Sequence, residues 1–230
     1  MALTLTQLIS RVRDNTGRSN TTTTTNARIA GYLNDAQRVL ARRWMWRDLM
    51  IQYETSLTTG TYRYAFPSDM KECLGLRIID DASSVWLHDR SKRWLDQYEP
   101  YPDGRGTAKP AYYCVDGNYF ELFPRPDSDY TLYIRFSRWP TEFATTQMSA
   151  TCSIDQADDC LEAFATARLF KSLQLFTEAR EWTGEFEVAY RDARIQDAKR
   201  PLWTPQPDGV IGAGAVGPPS EYWNNADYTG

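Results

Sequence analysis

The chain is poor in the residues that most chemistry needs. It has one histidine, His88, and four cysteines, Cys73, Cys114, Cys152 and Cys160, in 230 residues. The cysteines are widely spaced with no C-x-x-C, so zinc-ligand spacing is missing and reduced thiols are the default. No stretch approaches the roughly 18 apolar residues of a membrane-spanning helix, and the N-terminus lacks the charged, apolar, small-residue order of a secretory leader. Neither a membrane span nor a leader is expected. No serine stands in G-x-S-x-G and no cysteine in a nucleophile motif. Gly104-Arg105-Gly106 lacks a following helix, and Gly212-Ala213-Gly214 lies in the terminal segment, so neither reads as a phosphate loop. The carboxylates Asp80/Asp81, Asp127/Asp129 and Asp155/Asp158/Asp159 sit at turns or helix starts, where aspartate serves local hydrogen bonding. No catalytic residue, cofactor or metal is expected.

Positive charge is abundant only at one end. Residues 1–48 carry eight arginines and three aspartates, with no lysine or glutamate, so a net charge of -4 conceals +5 against -9 for the rest. Arginine without lysine favours fixed, directional contacts over general solvation.

One stretch, Asn26 to about Asp48, promises to organise the chain. Ile29, Leu33, Ala36, Leu40 and Trp44 recur at helical spacing, and Asn26 stands where an N-cap would. Such a helix spans roughly 33 Å at 1.5 Å per residue. Arg28, Asp35, Arg38 and Arg42 occupy its far face, while Arg43 and Arg47 flank the stripe and must snorkel or find acceptors. Before it, Thr4-Leu5-Thr6-Gln7 fits a capping box opening a first helix with Leu5, Leu8, Ile9 and Val12, which Gly17 can stop. Residues 18–25, with five consecutive threonines, read as the loop of a helical hairpin.

From Met50 the period changes to two. Tyr53 to Leu57, a Thr58-Thr59-Gly60 turn and Tyr62 to Phe66 read as a hairpin that Pro67-Ser68-Asp69 ends. Leu74 to Ile79 and Val85 to His88 read as strands, and Ser91 as the cap of a short helix with Trp94, Leu95 and Tyr98. Residues 100–110 are a loop by composition. Ala111 to Val115 and Tyr119 to Phe123 form the clearest hairpin, with Thr131 to Phe136 completing the sheet. The strand tyrosines and Phe136 could stack bases, but packing explains them more simply. Helical spacing returns with Asp155 as N-cap and again from Thr177 to about Lys199. The last 30 residues are rich in proline and glycine, lack lysine and arginine, and carry Trp203, Tyr222, Trp223 and Tyr228.

The expected architecture is α+β. An N-terminal helical hairpin and C-terminal helices pack together (residues 1–49 and 153–200), an antiparallel β-rich insertion occupies 50–152, and 201–230 form an extended tail.

Several short runs carry a resemblance. Leu33 to Arg38 (L-N-D-A-Q-R), Arg43 to Leu49 (R-W-x-W-R-D-L), Phe66 to Asp69 (F-P-S-D), Pro124 to Asp127 (P-x-P-D) and Trp182 to Glu187 (W-x-x-x-F-E) are similar to bacteriophage head-to-tail adaptor proteins. The resemblance covers about residues 1–200 and implies a non-enzymatic virion protein, assembled in the host cytoplasm. It further implies a homo-oligomeric ring, commonly twelve-fold, between the portal and a tail or neck terminator protein, with genomic DNA passing through the lumen. Arg28, Arg38 and Arg42 are the candidate partner contacts on the helix. Trp203, Tyr222 and Trp223 are candidate anchors in the tail. The rival reading is a nucleic-acid-binding module that lays the basic face of helix 27–48 on phosphates.

Overall fold

The computed structural model describes residues 2–18, 24–80, 83–98 and 106–200. The expected tail and its anchors Trp203, Tyr222 and Trp223 lie outside the described residues, as do parts of the threonine-rich loop and of the 100–110 loop. The fold is α+β, and the chain divides into a helical unit (2–49 and 139–200 of the described residues) and a β unit (50–138).

The helical unit contains α1 (Leu5–Thr16), α2 (Asn26–Arg43), α4 (Asp158–Ser172) and α5 (Phe176–Lys199). The capping box is present: Thr4 accepts from the Gln7 amide and the Gln7 side chain accepts from the Thr4 amide. Gly17 closes α1 at φ 61°, the left-handed conformation that glycine adopts without steric cost. α2 is shorter than its apolar stripe. It ends at Arg43 because Trp44 turns extended (φ -149°, ψ 152°), and a short 3-10 turn, Arg47–Leu49, follows. Its 18 residues therefore span about 27 Å. Thr25, not Asn26, is the N-cap, accepting from the Arg28 amide. Asn26 instead accepts from Arg13 Nη2 at 2.6 Å, and the same nitrogen reaches the Thr24 carbonyl at 2.9 Å, tying the end of α1 to the start of α2.

The hub is α4, not α2. Cys160, Leu161, Ala163, Ala165, Thr166 and Leu169 are buried on several of its sides, and α1, α2 and α5 all pack against it. Small side chains let three neighbours approach one helix. One core results, in which Leu5, Leu8, Ile29, Leu33, Leu40 and Trp46 meet Leu161, Leu169 and Phe186. Each such leucine or isoleucine contributes about 1.5–3 kcal/mol by leaving water. Asp155 is not the cap of α4. That place falls to Ala157, without a side-chain bond. Asp158, in the first turn, accepts from the Leu3 amide at 2.8 Å, while Asp155 pairs with Arg200.

The β unit contains two four-stranded sheets. One has the order β1 (Met50–Leu57), β8 (Tyr130–Arg138), β3 (Met70–Ile79), β4 (Ser84–Trp86). The other has β2 (Arg63–Ala65), β7 (Tyr119–Phe123), β6 (Tyr112–Asp116), β5 (His88–Asp89), with β5 parallel to β6. A short helix, α3 (Lys92–Tyr98), follows β5, and Ser91 Oγ accepts from the Trp94 amide as expected. The β6–β7 hairpin is as read from sequence. The hairpin expected at 53–66 does not form. β1 pairs with β8 while β2 pairs with β7, because the chain crosses between sheets at Gly60, whose amide bonds to the Pro126 carbonyl. β8 does not finish the second sheet but sits inside the first, with Leu132, Ile134 and Phe136 turned to a core shared with Phe120 and Leu122 of the other sheet. Gly75 is required in β3. Its φ is 155°, and a Cβ there would stand 3.2 Å from the Trp86 ring.

Candidate interaction surfaces

The runs that carry the family resemblance become specific intramolecular joints. In Leu33–Arg38, Leu33 and Ala36 enter the core and the polar letters hold residues 139–157 against α2. Asn34 behaves like a strand edge: its Nδ2 donates to the Phe143 carbonyl at 3.1 Å, and its Oδ1 accepts from the Phe143 amide at 2.7 Å. Buried Gln37 receives the Cys152 thiol and donates to Asn34 Oδ1. Arg38 pairs with Glu142 of its own chain.

Arg43–Leu49 grips the far half of α5. Arg43 makes a two-pronged contact with Glu187 (2.7 and 2.9 Å) and stands over the rings of Phe186 and Tyr190. The Tyr190 hydroxyl donates to the Arg43 carbonyl. Trp44 Nε1 and the Arg47 amide donate to the carboxylate of buried Asp197, at 2.9 and 3.3 Å. Asp48 receives the Asp155 amide at 2.8 Å and Arg200 at 2.5 Å, and Arg200 also reaches Asp155 at 2.6 Å. Asp48 sits opposite Arg200, and the hydrogen bond between them raises the guanidinium pKa. Both flanking arginines thus find acceptors, Glu187 for Arg43 and, at 3.2 Å, the Ala198 carbonyl for Arg47 Nη2. The acceptors themselves, Glu142, Glu187 and Asp197, lie 104–153 residues away from their donors and had no local signature.

The three candidate arginines of α2 share the outward face but differ in commitment. Arg28 Nε donates to the Tyr32 hydroxyl at 3.0 Å, one turn along. Arg38 is held by Glu142 and, more loosely, by Asp35 at 3.9 Å. Arg42 is exposed.

Residues with chemical potential elsewhere are occupied structurally. Burial pushes the Cys73 thiol up to about 11, and those of Cys152 and Cys160 up to about 12, which keeps them protonated. His88 lies exposed at the start of β5, its ring against Tyr112. Asp80 pairs with Lys109, Asp127 accepts from the Tyr130 hydroxyl and Asp129 caps the Thr59 amide. Among the described residues, no three His, Cys, Asp or Glu side chains are placed to hold a metal, and no helix is long and apolar enough to cross a membrane. An open groove of about 630 Å³ runs along α1 beside Arg13, Asp14 and Met148, with mixed polar and apolar walls.

A chain whose distinctive residues spend themselves on internal joints has the character of a structural protein. Its sequence from residue 3 to 208 matches the SU10 adaptor protein family model. It belongs to that family of phage head-to-tail adaptors, whose members are structural and non-catalytic. No curated protein matches the chain.

Proposed function

We propose that this chain is the protomer of a closed homo-oligomeric ring, twelve-fold in the simplest case, seated between the portal and a tail or neck terminator protein of the virion. Genomic DNA passes through its lumen, and the chain catalyses nothing. Family membership over nearly the whole chain carries this reading. The division of charge supports it, since +5 in residues 1–48 faces -9 elsewhere and identical subunits in a ring need two different complementary patches. On α2, Arg42 is the arginine left for a neighbour's carboxylate, with Arg38 able to bridge from its own Glu142. Arg28 completes the patch. The segment 201–230 docks on the portal or an adjacent protomer through Trp203, Tyr222 and Trp223, aromatic anchors of the kind that dominate interfaces.

The test is to image and weigh the purified full chain, alone and mixed with its portal. Rings that cap the portal support the reading. Protein that stays monomeric in both conditions, or that cleaves DNA in a divalent-metal-dependent way, overturns it.

A further inference from the structure

Two mid-helix glycines have no reason to exist within one subunit. Gly31 of α2 and Gly184 of α5 lie in helix interiors, where glycine costs about 1 kcal/mol relative to alanine. A Cβ at either would meet nothing within 4 Å among the described residues beyond its chain neighbours and its own helix backbone. Both point outward and are exposed. On α2 the exposed line through Gly31 is Ala27, Gly31, Asp35, Arg38 and Arg42. On α5 the line through Gly184 is Arg180, Gly184, Val188, Arg191 and Ile195. Val188 and Ile195 are 51% and 44% exposed, apolar side chains on a face otherwise open to water. Glu181, Glu185 and Asp192 line one flank of that face, and all are exposed.

We infer that these two faces are one interface: the Gly31 face of α2 in one copy packs antiparallel on the Gly184 face of α5 in the next copy. The inference rests on the ring reading and assigns it a contact. A missing side chain on each helix allows the axes to approach at the near end of the usual 8–10 Å. With Gly31 opposite Gly184, the antiparallel register sets Ala27 on Val188 and Asp35 on Arg180, with Arg38 opposite Thr177, one turn from Glu181. The parallel alternative sets Arg38 on Arg191, a like-charge pair, and Asp35 on apolar Val188. Charge therefore selects the direction. Because the two faces are different, the contact is head-to-tail, the kind that propagates around a ring rather than stopping at a dimer.

The experiment uses the full chain carrying Gly31→Cys with Gly184→Cys, treated with a short bis-maleimide under assembling conditions, with its portal present and absent. Native thiols are buried or half-buried, so the new ones react first. The expected product is a covalent ladder of dimers, trimers and higher species, absent from either single variant. A second variant, Gly184→Leu, is expected to raise the melting temperature of the monomer by a few degrees while abolishing assembly. Oligomers by light scattering without a ladder overturn the inference and leave the ring reading standing. A dimer from Gly184→Cys alone means a two-fold contact and also overturns it. Protein that never assembles in any condition sinks the ring reading, and this contact with it.

Discussion

At the scale of single residues, Asn34 shows how much one side chain can be asked to do. It satisfies both the amide and the carbonyl of Phe143, a residue 109 positions away whose own ring is buried. Replacing it with leucine leaves two backbone groups without partners, and each such group costs about 1–3 kcal/mol. We expect Asn34→Leu to lower stability by about 2–4 kcal/mol, read as a drop of roughly 5–15 °C in a thermal melt at 2–4 °C per kcal/mol. Asn34→Asp keeps the acceptor and loses the donor, so it should fall between. An unchanged melt for both would mean that residues 139–157 are held by something else. The thiols give a second residue-scale test. For a cysteine the deprotonated form reacts, and a pKa pushed up to about 12 leaves roughly one thiolate in ten thousand at pH 8. Cys152 and Cys160 should therefore resist iodoacetamide at pH 8 in the folded chain and react at once in denaturant. Alkylation of either before unfolding would contradict their burial.

At the scale of elements, the joint between Arg43–Leu49 and the end of α5 is the place to look. Asp197 is 5% exposed and takes two donors, so Asp197→Ala should free the last turns of α5. Hydrogen exchange ought to speed up over residues 193–200 by tenfold or more, with little change in α1 or α4. Uniform acceleration across the helical unit would instead make Asp197 part of the global core. Arg43→Ala should matter less to stability, because the Arg43–Glu187 pair is 40% and 47% exposed and such pairs contribute about 0–1 kcal/mol. The same elements show what sequence reveals. Periodicity found every α-helix among the described residues, and the capping box and Gly17 were legible to the residue, because those devices are local. The end of α2 was not. Trp44 continues the apolar stripe, but its indole bonds Asp197, 153 positions away, a contact that no local pattern shows. Strand pairing failed for the same reason. The Tyr53–Phe66 pattern alternates in both arms, but which sheet each arm joins is decided by β7 and β8, which come more than 50 residues later. The primacy given to α2 was also a matter of locality. Its one-sided stripe is conspicuous, whereas the buried residues of α4 face several sides and mark no single face.

At the scale of the whole molecule, the sequence named the family but marked few of the contacts that the structure shows. The arginines of α2 were legible as a basic face, yet Arg38 turns out to be held by Glu142, a pairing no spacing rule suggests. Charge-retaining substitution tests whether that face recognises carboxylates. Arg38→Lys with Arg42→Lys should weaken assembly several-fold, because lysine cannot reproduce the planar, two-pronged contact. Assembly equal to the parent at every salt concentration would remove the arginines from the interface. Deleting residues 220–230 should abolish attachment to the portal without changing the melt of the isolated chain. A lowered melt with attachment intact would refute docking by that segment.

The β unit begins and ends on neighbouring strands: Met50 of β1 lies opposite Ser137 of β8. A ribosome therefore delivers this protein in an awkward order. α1 and α2 emerge first, but the helix they close upon is not yet made. The β unit is complete the moment Arg138 clears the exit tunnel, and it can fold there while two amphipathic helices wait with their apolar stripes bare. Only when α4 arrives, more than a hundred residues after α2, do those stripes find their partner. During that interval the nascent chain is exposed to aggregation and to chaperones, with the apolar stripes of two helices uncovered.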